Sequence, residues 1–227
     1  MSAIISYAVI VAAGKGTRMG MDMPKQFINF HGKPLMCYAV EAFAAAIPDI
    51  KLVLVVPPSH VSNSQIVMKS YLPGLEVMVV PGGETRYHSV QNGLKHVKND
   101  GVVFVHDGAR PLVSVDLIRN CYEQALKQGS AIPAIPVVES VRLITENNES
   151  KSINRDQLRT VQTPQTFRTE VILPAFKQSY LPSFTDEATV VEAYDLKVYL
   201  IDGAIDNIKI TTQEDLARAE AIYAATN

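Results

Sequence analysis

The fold of this chain is decided by the stretch Val9-Ile10-Val11-Ala12-Ala13-Gly14-Lys15-Gly16-Thr17-Arg18-Met19, which Pro24-Lys25-Gln26 follows closely. Its first residues form a hydrophobic run rich in β-branched side chains, and such a run predicts a buried strand. The run ends at Gly14 in a loop of glycines and cations. Glycines permit tight turns and let backbone N–H groups approach a ligand, and Arg18 and Lys25 add positive charge. We therefore expect a polyphosphate to bind at the end of this strand.

Two other phosphate-binding motifs do not match this loop. A dinucleotide fingerprint would place a third glycine where Met19 stands, and it needs an acidic residue at the end of the second strand. The second predicted strand, 52–56, runs instead into Pro57-Pro58-Ser59-His60. A P-loop needs Gly-Lys and then Ser or Thr four residues after a glycine, and this loop does not supply them. A nicotinamide oxidoreductase and a P-loop protein are therefore disfavoured.

Length and composition indicate a globular protein. The 227 residues are 47% hydrophobic and 19% charged, as in ordinary folded proteins, and we expect a single domain over residues 1–227. The net charge of -2 gives no overall attraction to nucleic acid or to a membrane. Cys37 and Cys121 do not form a Cys-x-x-Cys pair, so we expect buried thiols in a reducing compartment. Because the sequence shows no signal-peptide pattern and no apolar run of membrane-spanning length, we expect a cytoplasmic protein.

The remaining chain alternates strand and helix patterns. Strands are predicted at 52–56, 76–80, 102–106, 132–138, 197–201 and 208–210. Helices are predicted at 35–46, 61–71, 87–97, 115–128, 169–179, 185–193 and from a cap at Thr212 to 225. This pattern predicts an α/β fold with a mostly parallel, twisted sheet and helices on both faces. Ligands bind such sheets at the carboxyl ends of the strands, where the chemically rich turns 14–25, 82–86 and 106–110 would meet.

Residues 138–160, called the arm below, differ in composition from the preceding chain. They are mostly polar, with isolated apolar residues in two short alternating segments around residues 146–150, and this pattern predicts a protruding β-hairpin. An isolated two-stranded hairpin is marginally stable, so we expect it to pack on another subunit. A hairpin that lies on its own domain is the alternative that the pattern leaves open.

Several short motifs occur along the chain in a fixed order. They are Ala12-Ala13-Gly14 with Gly16 and Arg18-Met19, Pro24-Lys25-Gln26, Gly82-Gly83 with Arg86, Ser89-Val90, His106-Asp107, Ala109-Arg110-Pro111, Thr163-Pro164-Gln165 with Phe167, Thr185-Asp186-Glu187-Ala188, and Asp206-Asn207-Ile208-Lys209-Ile210-Thr211. Together they cover nearly the whole chain, which resembles the 2-C-methyl-D-erythritol 4-phosphate cytidylyltransferases of the non-mevalonate isoprenoid pathway. The resemblance implies a Rossmann-like nucleotidyltransferase fold, a homodimer and a divalent cation, usually Mg²⁺.

The family reaction joins the phosphate of the polyol substrate to the α-phosphate of CTP and releases pyrophosphate. The resemblance implies that Arg18, Lys25 and Lys209 are catalytic. It also implies that CTP is bound by Ala12, Ala13, Gly14, Gly16, Gly82, Gly83, Glu84, Arg86 and Ser89. A step of this kind needs positioning and charge neutralisation, which fits Arg18 and Lys25 beside the triphosphate. Small residues fit beside the cytosine, because a base edge must reach the main chain there.

The polyol phosphate is assigned to a second group of residues by the same resemblance. They are Asp107, Arg110, Ser140, Arg155, Thr163 and Lys209. Asp107 is also the candidate ligand of the metal ion. Ser140 and Arg155 belong to the arm and, by the family pattern, reach into the active site of the partner subunit, so that the homodimer shares its active sites.

Four positions depart from the family pattern. The arm has Glu139-Ser140 where aspartate and threonine are frequent, Gly108 stands where alanine is common, and Glu84 stands where aspartate is common. These departures leave a ribitol-5-phosphate or other alditol-phosphate cytidylyltransferase as an alternative, since such enzymes share the glycine loop and the Thr-Pro-Gln turn. A non-catalytic nucleotide sensor is an alternative from another class, but it would need neither Lys25 nor Lys209.

Overall fold

The computed structural model describes residues 4–14, 24–98 and 100–226. Its strands are β1 (Ile5–Val11), β2 (Asn29–Phe30), β3 (Lys33–Pro34), β4 (Lys51–Val56), β5 (Val77–Pro81), β6 (Gly101–Asp107), β7 (Ser130–Pro136), β8 (Val141–Ile144), β9 (Ser150–Ile153), β10 (Arg159–Val161), β11 (Gln165–Arg168) and β12 (Leu200–Asp202). Its α-helices are α1 (Leu35–Ala46), α2 (Val61–Tyr71), α3 (Arg86–Leu94), α4 (Val115–Gln128), α5 (Thr169–Ala175), α6 (Glu187–Glu192) and α7 (Gln213–Thr226). Short 3-10 helices cover Lys25–Phe27, Pro58–His60 and Arg155–Gln157.

The central sheet has the strand order β10-β7-β11-β6-β1-β4-β5, and β12 pairs with β7 beside this path. Strands β6, β1, β4 and β5 are mutually parallel. Strand β11 runs antiparallel between β6 and β7. The carboxyl ends of β1, β5 and β6 therefore lie at one edge of the sheet, as the sequence predicts.

Two hydrophobic cores lie on opposite faces of this sheet. Alternate residues of β1 show the division, since Ala8 and Ile10 face one core and Tyr7 and Val9 face the other. Helices α1, α2 and α4 cover the first face, and α3, α5 and α6 cover the second. This period of two explains the continuous hydrophobic runs, because a strand covered on both faces has no solvent-exposed side. The predicted α/β architecture with helices on both faces is confirmed.

Helix α4 shows why several predicted boundaries are correct. The Ser114 hydroxyl accepts a hydrogen bond from the N–H of Leu117 at the first turn, and Gly129 ends the helix in the left-handed region with φ of +89°. A serine cap and a left-handed glycine are common ways to begin and end a helix. The predicted bounds 115–128 are confirmed, as are 35–46 and 61–71.

Other predicted elements differ from the structure. The sequence predicts a strand at 208–210, but these residues do not form one. The N–H of Ile210 donates to the carbonyl of Ala109 (2.8 Å) and fastens this segment to the turn after β6. Helix α3 ends at Leu94 rather than at 97, because the N–H groups of His96 and Val97 donate to the carbonyls three residues before them, Gly93 and Leu94, and not to those four residues before. Strands β10 and β11 were not predicted.

The arm contains the predicted hairpin. Strands β8 and β9 pair antiparallel with each other in a sheet of their own, with Val141 opposite Ile153. The N–H of Thr145 donates to the carbonyl of Glu149 (2.8 Å) across the turn. Most side chains of the hairpin are exposed, among them Leu143 and Ile144. Among the described helices, none is long and apolar enough to cross a membrane.

Candidate active site

A cavity of about 490 Å³ opens at the carboxyl ends of β1, β5 and β6. Its lining consists of Val11, Ala12, Ala13, Gly14, Gln26, Gly83, Glu84, Thr85, Arg86, Ser89, Asp107, Ala109 and Lys209. This is the edge where an α/β sheet binds its ligands. A larger cavity of about 790 Å³ lies beside the starts of β4 and β5, away from these side chains, so we place the chemistry in the smaller cavity.

The turn between β5 and α3 forms one wall of the cavity and is held rigidly. The N–H of Gly82 donates to the carbonyl of Val56 (2.7 Å), and the N–H of Gly83 donates to the hydroxyl of Ser89 (3.1 Å). That hydroxyl donates in turn to the carbonyl of Thr85 (2.9 Å). A Cβ on Gly82 would lie 2.6 Å from Cβ of Ala13. Glycine is therefore required at position 82, where this turn touches Ala13 in the segment after β1.

Asp107, the last residue of β6, is surrounded by three cations. Its Oδ1 lies 3.2 Å from Nη2 of Arg86, and its Oδ2 lies 2.9 Å from Nζ of Lys209 and 3.5 Å from Nε of Arg110. Burial disfavours the charged carboxylate, but the positive charges outweigh it and hold the pKa of Asp107 well below its usual range. Asp107 is therefore ionised throughout the physiological range.

Arg86 joins Asp107 to a second acid, Glu187, at the start of α6. Nη2 of Arg86 donates to Oε2 of Glu187 (3.0 Å), and Nη1 donates to Oε1. Burial alone would lower the pKa of Arg86, but the two carboxylates outweigh it and raise that pKa above its ordinary value. Arg86 is therefore a permanent cation held between two acids.

A buried network fixes the backbone around Asp107. The hydroxyl of Thr163 accepts from the N–H of Asp107 (3.0 Å) and lies 3.1 Å from Nδ1 of His106, whose Nε2 lies 3.2 Å from the carbonyl of Arg110. Burial lowers the pKa of His106 to about 4, so its imidazole is neutral. The partners indicate that Thr163 donates to Nδ1 and that Nε2 carries the proton. His106 therefore has a structural role here, since both ring nitrogens are engaged by neighbouring protein groups.

Arg110 lies behind the cavity rather than on its lining. Its Nη1 donates to the carbonyl of Asn207 (2.7 Å), and the amide of Asn207 donates to the carbonyl of Thr163 (2.8 Å). These bonds fasten the segment that carries Lys209 to the turn after β6. Arg110 and Thr163, which the resemblance assigns to the polyol phosphate, are bonded in the structure to the backbone of Asn207 and Asp107.

Most predicted nucleotide-binding residues come together at the cavity. Its lining includes Ala12, Ala13, Gly14, Gly83, Glu84, Arg86, Ser89, Asp107 and Lys209, and Gly82 packs directly behind them. Ser140 and Arg155 are on the exposed arm and are not part of the described lining; Arg155 donates instead to the carbonyl of Val138. Gly16 and Arg18 lie outside the described residues, and only the backbone of Lys25 is described.

Sequence reasoning assigned no role to Glu187 and Gln26. Glu187 is 1% exposed and pairs with Arg86. It belongs to the motif Thr185-Asp186-Glu187-Ala188, but the neighbouring residues in the sequence do not indicate which cation it pairs with. Gln26 lines the cavity, and its buried Nε2 has no hydrogen-bond partner among the described residues. A buried amide without a partner costs about 1–3 kcal/mol, which distinguishes Gln26 from an ordinary core residue.

The described residues offer little to hold a divalent cation on their own. Both oxygens of Asp107 are ion-paired, and residues 4–14, 24–98 and 100–226 contain no group of three or more His, Cys, Asp or Glu side chains that could hold a metal. Mg²⁺ in phosphate-transfer sites is bound through one or two carboxylates and the substrate phosphates. A cation at this cavity would therefore need the phosphate oxygens of a substrate as its main ligands.

Comparisons with known proteins identify the family of this chain. Residues 6–225 match the family model described as IspD, 2-C-methyl-D-erythritol 4-phosphate cytidylyltransferase. The protein of that name from Phocaeicola vulgatus is 44% identical over 95% of this chain and 98% of its own length, and that from Clostridium novyi is 38% identical over 95% of each. The crystal structure of 4-diphosphocytidyl-2C-methyl-D-erythritol synthase from Anaerococcus prevotii superposes with a TM-score of 0.83 at 27% identity, covering 97% of this chain and 96% of that one. The chain therefore belongs to the 2-C-methyl-D-erythritol 4-phosphate cytidylyltransferase family.

Proposed function

We propose that this protein joins 2-C-methyl-D-erythritol 4-phosphate to CTP, giving 4-diphosphocytidyl-2-C-methyl-D-erythritol and pyrophosphate. The observation that carries the proposal is the family match over residues 6–225. The cavity supports it, since small residues and backbone groups form one wall and three cations surround a buried carboxylate on the other.

The reaction is a displacement at the α-phosphorus of CTP. A phosphate oxygen of the polyol substrate forms the new P–O bond, and the bond to the β-phosphate oxygen breaks to release pyrophosphate. Catalysis of this kind depends on positioning and on stabilising negative charge. Lys209 supplies a cation at the cavity, and we assign Arg18 and Lys25 to the triphosphate from the sequence. Lys25 directly precedes Gln26, which lines the cavity.

The cytosine is assigned to the wall formed by residues 12–14 and 82–83. Gly82 lies close to Ala13, so the two segments of this wall are in contact. The small residues of the wall leave its backbone groups accessible to the edge of a base, and we assign a pyrimidine to it. Because the Ser89 hydroxyl already bonds Gly83 and Thr85, its contribution includes holding the turn as well as facing the base.

The polyol phosphate is assigned to the other side of the cavity, where Asp107 and Lys209 lie. Asp107 is ionised and accepts hydrogen bonds, so it can receive a polyol hydroxyl, and Lys209 can receive the phosphate. Arg110 and Thr163 hold these two groups in place. Mg²⁺ or another divalent cation, held by Asp107 and the phosphates, would add neutralising charge to the triphosphate. Removal of divalent cations with EDTA should abolish pyrophosphate release, and added MgCl₂ should restore it.

A homodimer completes the proposal. The arm exposes Val138, Leu143 and Ile144, and an exposed two-stranded hairpin is marginally stable without a partner surface. A second subunit that covers the arm would bring Ser140 and Arg155 to the neighbouring substrate phosphate. We also place the protein in the cytoplasm, in keeping with its two free cysteines.

The proposal is tested by measuring pyrophosphate release from CTP, UTP, ATP and GTP. Each nucleotide is mixed with 2-C-methyl-D-erythritol 4-phosphate, with ribitol 5-phosphate or with no acceptor. We expect release from CTP with the methylerythritol phosphate. Faster release with ribitol phosphate would identify the alditol alternative, and CTP binding without release from any mixture would identify a sensor.

A further inference from the structure

Glu187 is a buried acidic residue that lies outside the described lining of the cavity. It is 1% exposed, and in the described part of the chain Arg86 is the cation with which it pairs. The pair is bidentate, with both oxygens of the carboxylate accepting from the two terminal nitrogens of the guanidinium. Such a fork-to-fork pair fixes the orientation of the guanidinium plane as well as its position.

The backbone that carries Glu187 is itself held firmly. Gln165 of β11 donates from Nε2 to the carboxylate of Asp186 (2.9 Å) and accepts at Oε1 from the N–H of Ala188 (2.9 Å). These two bonds reach the residues on either side of Glu187. Asp186 and Thr189 add a reciprocal capping box at the start of α6. The backbone at Glu187 is therefore fixed, so that its carboxylate can orient the flexible side chain of Arg86.

Two nitrogens of the Arg86 guanidinium lie close to Asp107: Nε, and Nη2, which also bonds Glu187. Nε of Arg86 donates to Oδ1 of Asp107 (3.2 Å), and Nη2 lies 3.2 Å from the same oxygen. The side chain of Arg86 is 28% exposed, and that of Asp107 is 9% exposed. Without Glu187, Arg86 could turn into the cavity and pair with phosphate oxygens, and Asp107 would lose the partner of its Oδ1.

We propose that Glu187 is a positioning residue, which acts on Asp107 through the guanidinium of Arg86. This inference rests on the proposed function, since Asp107 is taken to meet substrate. Because the effect of Glu187 passes through Arg86, the two residues should act as one unit, and their substitutions should not be additive.

The experiment is a double-mutant cycle on kcat and KM with CTP and 2-C-methyl-D-erythritol 4-phosphate. Glu187→Gln and Glu187→Met should each lower kcat/KM about 10- to 100-fold, as loss of an outer-shell partner commonly does. In an Arg86→Met background, Glu187→Met should have no further effect beyond about twofold. Glu192→Gln is the matched control, because it makes the same change at the exposed end of the same helix and should leave the kinetics unchanged.

The outcomes separate this inference from the proposed function. A wild-type protein without pyrophosphate release contradicts the function itself. An active wild type with an equally active, folded Glu187→Gln variant overturns the inference, as does a further tenfold loss when Glu187→Met is added to Arg86→Met. If Glu187→Gln does not fold, the comparison of Arg86→Met with the double variant still decides, because the double variant leaves no buried charge of this pair unpaired.

Discussion

Nζ of Lys209 lies 2.9 Å from Oδ2 of Asp107, so the cation on a loop of the C-terminal region is anchored to the end of β6. The side chain of Lys209 stays 38% exposed and lines the cavity. An ammonium group has three donors, and one is directed at Asp107. The remaining donors are available to a phosphate, in a side chain whose freedom is already restricted.

Lys209→Met should remove this charge while keeping most of the aliphatic side chain. We expect kcat to fall about 10²–10³-fold, as loss of a donor at developing negative charge commonly does, with the thermal midpoint nearly unchanged. Steady-state pyrophosphate release measures the effect. Lys197→Met, an exposed lysine on the same part of the chain, is the control, and equal rates for the two variants would contradict a role for Lys209.

Lys25→Ala tests the prediction that follows from the sequence motif alone. If Lys25 acts mainly on the transition state, kcat should fall strongly while KM for CTP changes little. The exposed Lys69→Ala variant provides the comparison. Near-normal turnover in a folded Lys25→Ala protein would remove Lys25 from the catalytic residues.

Gly82→Ala should disturb the wall assigned to the base. The new Cβ would lie 2.6 Å from Cβ of Ala13 and 2.9 Å from Oγ of Ser89, so the turn must move. Overpacking costs about 1–3 kcal/mol, and we expect CTP affinity to fall about tenfold, measured by isothermal titration calorimetry. Gly74→Ala, where nothing lies within 4 Å of the new Cβ, should bind CTP like wild type. Unchanged affinity in Gly82→Ala would place the base elsewhere.

The arm is tested by mixing two inactive variants. Arg155→Ala removes the residue proposed to reach the neighbouring site, and Lys25→Ala removes one proposed to act in its own site. When subunits exchange at equal concentrations, half the dimers are hybrids, so about a quarter of all sites should recover activity. Exchange without recovery would mean that each arm serves its own subunit, and a monomer in sedimentation analysis would contradict the proposed dimer.

Both cysteines should be inert in the folded protein. Cys37 and Cys121 are fully buried, and burial raises the pKa of each thiol to about 12. Because the thiolate is the reactive form, a disulfide reagent at pH 8 should release almost no product until guanidinium chloride unfolds the chain. Cys37→Ser should then halve the yield, and rapid reaction of the native protein would contradict this burial.

The sequence predicts best what is encoded locally. Helix α4 has its cap at Ser114 and its stop at Gly129, so its bounds are predicted without error. The cavity wall is predicted because a buried strand before Gly14 and a glycine turn at 82–83 must meet at one edge of a parallel sheet.

The sequence predicts least well what distant residues form together. Strand β11 is set by its partners on both sides, and residues 208–210 are fastened by a turn instead of joining a sheet. The pairing of Glu187 with Arg86 is invisible locally, because no spacing rule relates the two positions. The same holds for the support that Arg110 gives to Asn207.

The charged side of the site consists of such distant contacts. Arg86 and Glu187 are 101 residues apart, and Arg110 and Asn207 are 97 residues apart. During synthesis, the wall for the base and the end of β6 leave the ribosome long before Glu187 and Lys209 exist. A nascent chain that stops before residue 187 therefore contains the residues of the wall for the base without the residues that complete the charges. Only a chain translated past Lys209 contains every residue of the described cavity lining.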